Sequence, residues 1–138
     1  MAKLVHFSEA ASLALHSMVI IARSKVHVNV NSLAEEMGSS RNHLAKVLQQ
    51  LVKFNFLRSV RGPNGGFILS KLPSEITVLD IYEAIEGKID TPECPLDRQI
   101  CPFDMCLMGG LINDVTMQFK NYFQGLTLQN YIENKNFR

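Results

Sequence analysis

The sequence predicts a mainly α-helical fold with one small β-hairpin and a long helix near the C-terminus. Three observations carry this expectation. Apolar residues recur at intervals of three and four in the stretches 13–22, 44–51, 78–85 and 108–123, the period of helices with one face turned inward. Two short β-prone runs flank Arg61-Gly-Pro-Asn-Gly-Gly66, a glycine-rich stretch suited to a hairpin turn. Pro92, Pro95 and Pro102 stand beside or between Cys94, Cys101 and Cys106. Proline fixes φ and lacks an amide donor, so this segment reads as a stiff loop that presents side chains.

Length and composition set the outer limits. The 138 residues fit one domain that can bury a core without covalent staples. Three cysteines, separated by six and four residues, are an odd number and match neither a CxxC redox pair nor a paired zinc ribbon. Glu9 and His16 interrupt any apolar leader near the N-terminus, and no run approaches the ~18 apolar residues of a membrane span. These features predict a cytoplasmic location with reduced thiols and no membrane partner.

The net charge of +1 conceals an asymmetry. Between Met37 and Ser74 stand Arg41, Lys46, Lys53, Arg58, Arg61 and Lys71, with no Asp or Glu. A local +6 is thus offset elsewhere, and such a patch is the electrostatic footprint of a polyanion binder. Alone, it fits a solvated basic face equally well.

Along the chain, Ser8 is a plausible N-cap for a helix reaching about Arg23, with Leu13, Ala14, Met18, Ile21 and Ala22 inward. Val28 and Val30 suggest a short extended piece. Ser32-Leu-Ala-Glu35 has capping-box spacing and opens a short helix that Gly38 ends. Ser39 or Ser40 caps the next helix, whose inner stripe is Leu44, Val47, Leu48 and Leu51. Arg41, Asn42, Lys46, Gln49, Gln50 and Lys53 occupy its other face.

Two short helices joined by a glycine turn, the second basic and rich in amides, form a helix-turn-helix pattern. The strand–turn–strand over 56–70 adds a wing, so residues 1–87 read as a winged helix-turn-helix domain. Candidate DNA-contacting residues are Ser40, Arg41, Asn42, His43 and Lys46 on the second helix and Arg61, Gly62, Pro63, Asn64 and Gly65 on the wing. Arg61 brings a forked cation, and glycines allow backbone to enter a narrow groove. As a bare hairpin turn, Asn64-Gly65 would suffice without any DNA.

After the wing, Thr77-Val-Leu-Asp80 starts a helix ending near Gly87, with Val78, Ile81, Ala84 and Ile85 inward. Residues 88–106 form the cysteine loop, and 107–138 hold a dimerisation helix and a last short helix over 127–133. Met108, Leu111, Ile112, Val115, Phe119, Tyr122 and Phe123 predict one helix of ~18 residues, ~27 Å long, with an apolar stripe wide enough to seek a second copy. Three thiols on one loop suit an iron-sulfur cluster or zinc, and equally a thiol sensor.

Phe7-Ser8-Glu9, Arg-Gly-Pro-Asn-Gly-Gly from Arg61, the three-cysteine loop and the helix after it together resemble the IscR/NsrR family of bacterial winged-helix regulators. The resemblance runs over nearly the whole chain. It implies a homodimeric transcription regulator, a repressor in the first reading, that binds a double-stranded DNA operator and senses nitric oxide, redox state or iron-sulfur supply through a cluster. It also implies the ligands: Cys94, Cys101 and Cys106, with Glu9 of the other subunit as the fourth. The histidine used by one branch three residues beyond the third cysteine is replaced here by Gly109, and the histidine of a 2Fe-2S branch by Leu13. The resemblance therefore favours a 4Fe-4S cluster over 2Fe-2S, with His6 as reserve ligand. A cluster-free regulator of the same fold, sensing through thiols or a partner protein, is the alternative. A small thiol redox enzyme is disfavoured, because no Cys/His pair or phosphate loop supports it.

Overall fold

The computed structural model describes residues 7–90 and 101–134. Helices α1 (Glu9–Arg23), α2 (Val30–Met37) and α3 (Arg41–Lys53) are followed by strands β1 (Leu57–Val60) and β2 (Gly66–Leu69). A 3-10 turn at Pro73–Glu75 leads to α4 (Val78–Glu86), α5 (Leu111–Gln124) and α6 (Leu128–Glu133). The mainly helical architecture with a two-stranded antiparallel wing is the one expected from the sequence.

Side-chain caps fix most helix starts. Ser8 Oγ accepts from the Ala11 amide at 3.0 Å and begins α1, which buries Ala11, Leu13, Ala14, Met18 and Ile21. Ser40, rather than Ser39, caps α3, whose Leu44, Val47, Leu48 and Leu51 enter the core. At α4, Thr77 Oγ1 accepts from Asp80 N at 3.0 Å while Asp80 Oδ2 accepts from Thr77 N at 3.1 Å, a complete capping box.

The start of α2 differs from expectation. Its cap is Asn29, whose Oδ1 accepts from Ser32 N at 2.8 Å, so the helix begins at Val30 and Ser32 lies inside it. Asn caps as well as Ser does, and the upstream candidate wins because Val28 is pinned to the wing. Val28 N donates to Phe67 O at 3.0 Å and Val28 O accepts from Phe67 N at 2.8 Å. Only Val28 of the expected extended pair is therefore extended. A Cβ at Gly66 would lie 2.5 Å from Val28 O, so glycine allows this close seam. The seam fastens the wing to the entry of α2, making helix-turn-helix and wing one unit.

The long helix is also shorter than its apolar pattern suggested. It has 14 residues, or ~21 Å, and starts at Leu111. Gly109 (φ 59°) and Gly110 (φ 79°) adopt left-handed conformations that hold a turn just before it, leaving Met108 outside the helix.

One core joins α1, α2, α3, the wing, α4 and α6. The last helix returns to it through backbone bonds on either side of Thr77: Val78 N donates to Leu126 O at 2.9 Å and Leu128 N to Ile76 O at 3.0 Å. Leu128 and Ile76 are fully buried. No helix among the described residues is long and apolar enough to cross a membrane.

Candidate DNA-reading surface and cysteine loop

The basic residues of 37–74 face outward around α3 and the wing. Ser40, Arg41, Asn42, Lys46, Arg61, Gly62, Pro63 and Asn64 are exposed, while His43 and Gly65 are half-buried. Arg41 Nε donates to Asn31 Oδ1 on α2, which orients the guanidinium from the neighbouring helix. The wing turn closes through Gly65 N donating to Gly62 O at 2.9 Å. A Cβ at Gly65 would overlap the Val60 carbonyl oxygen, so this turn requires glycine there.

Two residues on this surface have partners that the sequence did not indicate. His43 Nδ1 lies 3.7 Å from Glu9 Oε1, joining the reading end of α3 to the start of α1. Gln50, placed by periodicity on the outer face of α3, donates through Nε2 to Ala84 O at 2.9 Å, in the last turn of α4.

The start of α1 touches three elements through successive side chains. The Phe7 ring packs against Tyr82, Phe119 and Phe123, with centroids 5.7, 5.9 and 6.1 Å away. Ser8 Oγ donates to Glu86 Oε1 at the end of α4. Burial of Tyr82, together with the nearby Glu86 carboxylate, pushes its phenol above the ordinary range. Glu9 keeps 72% of its side chain exposed and has His43 as a neighbour within the protomer.

Helix α5 resolves the single expected stripe into two faces. Ile112, Thr116, Phe119 and Phe123 are half-buried, and the two phenylalanines pack with Phe7 inside the protomer. Leu111, Val115 and Tyr122 lie exposed on another side, with Met117 also open. The aromatic residues read from sequence as intersubunit are thus partly intramolecular.

In the cysteine loop, Cys101 is half-buried and Cys106 exposed, while Cys94 and the reserve ligand His6 lie outside the described residues. Backbone amides of Met108 and Gly110 in the turn after Cys106 hold its thiol below the ordinary range; desolvation opposes them, and the Gly109 amide adds to them. Hydrogen bonds to an anion favour the anion, so Cys106 is biased toward thiolate, the form that ligates metals. This donor chemistry fits a soft metal centre. Among the described residues no three His, Cys, Asp or Glu side chains converge into a metal-holding group. Gly109 was read in the sequence only as the place of a missing histidine, and the Gly109-Gly110 pair was the available signal for the turn that brings these amides near Cys106.

The shift has a measurable sign. In metal-free protein, alkylation of Cys106 by iodoacetamide should reach half its maximal rate at lower pH than a cysteine in an unstructured peptide, whose pKa is ~8.5. Peptide mass spectrometry across a pH series reads this directly. A profile equal to that of the peptide would mean that the amides do not hold the sulfur.

The family model described as Rrf2, an iron-dependent transcriptional regulator, matches residues 7–134. The HTH-type transcriptional regulator IscR of Pectobacterium atrosepticum is 30% identical over 109 residues, covering 78% of this chain and 66% of its own length. This chain therefore spans just under two thirds of that relative. A provisionally named HTH-type transcriptional regulator of Aquifex aeolicus is 30% identical over 130 residues, covering 91% of this chain and 90% of that one.

Among solved structures, CymR, the global cysteine regulator of B. subtilis, superimposes with a TM-score of 0.77 at 21% identity, over 94% of this chain and 97% of its own. T. potens IscR gives 0.76 at 24%, over 94% and 88%. At these identities the likeness establishes the fold, a winged helix with appended C-terminal helices. The curated relatives are regulators of transcription, not enzymes. With its model spanning nearly the whole chain and a 30% identical relative matched almost end to end, the chain belongs to the Rrf2 family of transcriptional regulators.

Proposed function

We propose that the chain is a cytoplasmic, homodimeric repressor that reads a double-stranded DNA operator and senses nitric oxide, redox state or iron-sulfur supply. Cys94, Cys101, Cys106 and Glu9 of the partner subunit hold its iron-sulfur cluster. The division of labour follows the chain: residues 1–87 read DNA, 88–106 sense, and 107–138 hold the helix that joins the subunits and the last short helix, which returns to the core. Ser40 to Lys46 enter the major groove, and the wing from Arg61 to Gly65 enters the minor groove.

The observation that supports the sensor reading is the exposed Cys106 sulfur on the segment between α4 and α5, with the half-buried Cys101 five residues before it. The backbone amides near Cys106 hold its thiol below the ordinary range, which favours the thiolate form that ligates iron. The exposed Glu9 carboxylate is available to a second subunit, so three thiolates and one carboxylate make four ligands, and Leu13 in the place of the histidine used by the 2Fe-2S branch favours 4Fe-4S over 2Fe-2S. When bound, the cluster supplies a centre that reacts with nitric oxide and oxidants. A carboxylate holds iron less firmly than thiolate does, making the Glu9 corner the labile one. A Glu9 carboxylate not engaged by a cluster would lie beside His43 on the reading helix of its own subunit, 3.7 Å from Nδ1.

The same exposed thiol also suits a cluster-free thiol sensor, which is the second reading. Anaerobic purification with iron and sulfide analysis separates the two. Wild type should hold iron and acid-labile sulfide in near-equal amounts with visible absorption, and Cys101→Ala should lose most of both. Wild type free of iron and sulfide when purified anaerobically would reject the cluster and leave the thiol sensor. Full iron and sulfide content in Cys101→Ala would remove that residue from the ligand set.

A further inference from the structure

Gln50 lies in the last turn of α3, at the end away from the residues expected to meet DNA. Its side-chain amide donates at 2.9 Å to Ala84 O. That carbonyl is one of those left without an intrahelical partner because α4 ends at Glu86. The same turn of α4 grips the chain that leaves it toward the cysteines. Glu83, with only 11% of its side chain exposed, accepts from Ile89 N at 2.8 Å through one oxygen. Its other oxygen faces Lys88 Nζ at 3.8 Å. One short turn, residues 83–86, is therefore bonded on one side to the reading helix and on the other to the root of the sensor segment.

We infer that Gln50 is a positioning residue that couples the cysteine segment to the reading helix within one subunit, through the last turn of α4; this rests on the sensor reading proposed above. Helix α3 is a rod of 13 residues, ~20 Å long. Its inner stripe seats it in the core, but its last turn is held to the α4 end by this single side-chain bond among those described. A displacement of residues 88–89 moves the α4 turn through Glu83. The turn draws Gln50 with it, and the rod pivots on its buried stripe so that Ser40 to Lys46 swing at the other end. The bond thus gives the two states of the sensor a differential contact with the DNA-reading element, which any switch requires.

Gln50→Met keeps the length and packing of the side chain while removing its donor, and Gln50→Lys restores a donor. Both are compared with wild type on the tightest-binding duplex that wild type selects from a random pool, with the sensor loaded and empty. Thermal unfolding and iron and sulfide content serve as controls. Couplings between sites are ordinarily about 5- to 150-fold, and Gln50→Met should bring the affinity ratio between the two forms to within about twofold of one. Gln50→Lys should retain the ratio even if its charge raises both affinities. A second readout needs no cluster: in sensor-free protein the duplex should slow amide exchange at Gly87 and Ile89 in wild type but not in Gln50→Met. Equal weakening of both forms with the ratio intact would show Gln50 to be a DNA contact and overturn the coupling role. Loss of thermal stability with the ratio intact would show a packing bond and overturn it as well. If wild type itself shows no difference between loaded and empty forms, the sensor reading fails, and the exchange experiment alone decides whether α3 and the α4 turn move together.

Discussion

Val115→Glu should give a folded monomer that has lost operator binding. Val115 is 36% exposed on the outer side of α5, between Leu111 and Tyr122, whereas the inner side is already packed against Phe7 and α4. The substitution therefore leaves the protomer's own contacts intact and acts on whatever covers the outer face. If a second α5 covers it about a two-fold axis, each dimer acquires two carboxylates in an apolar seam, and an unpaired buried charge costs several kcal/mol. Affinity for a two-half-site operator should fall with dimerisation, because each reading head would then bind alone. Light scattering and circular dichroism check the result. A helical, cooperatively folded dimer would place the subunit contact elsewhere.

The wing carries the second large effect. Arg61→Ala removes an exposed forked cation, and Gly65→Ala drives a Cβ into the Val60 carbonyl so that the turn must open. Each should weaken operator binding by about 1–3 kcal/mol if a base contact is lost, and Arg61→Ala should lower the salt slope by about one if the contact is to phosphate. The two variants differ in cause. Arg61→Ala leaves β1 and β2 in register, whereas Gly65→Ala disturbs the strand ends at Val60 and Gly66 and, through the Val28 seam, the entry of α2. Fluorescence anisotropy over a salt series distinguishes them. Unchanged affinity and slope in both would exclude the wing from the DNA contact.

The fold was legible where local chemistry and tertiary packing agree. Thr77 and Asp80 form the capping box their spacing announces, and Leu44, Val47, Leu48 and Leu51 are buried as their period requires. It was misread where two local rules compete. Asn29 and Ser32 are both good caps, and the choice between them is made by Phe67, a residue 38 positions after Asn29 that pins Val28. The apolar period through Met108 continued past two glycines whose left-handed geometry ends it. The stripe on α5 could not be divided from sequence, since Phe119 and Leu111 are equally apolar and only the position of Phe7 tells which is covered. For the candidate site, residue types were legible and bonds were not: Asn31 orienting Arg41, Glu9 meeting His43 and Gln50 reaching Ala84 all join separate elements. None leaves a periodic trace.

The return of α6 to the core has a genetic consequence. Because Leu128 is fully buried and the strand-like link at Thr127 closes against Thr77, a polypeptide terminated after α4 would expose the apolar face of α1 and the Ile76 side chain that α6 packs against. Such a fragment would not persist as a free DNA-binding head. Nonsense alleles in the second half of the gene should therefore behave as recessive nulls rather than as dominant poisons. Interference with the wild-type subunit would instead come from full-length chains damaged only in the wing.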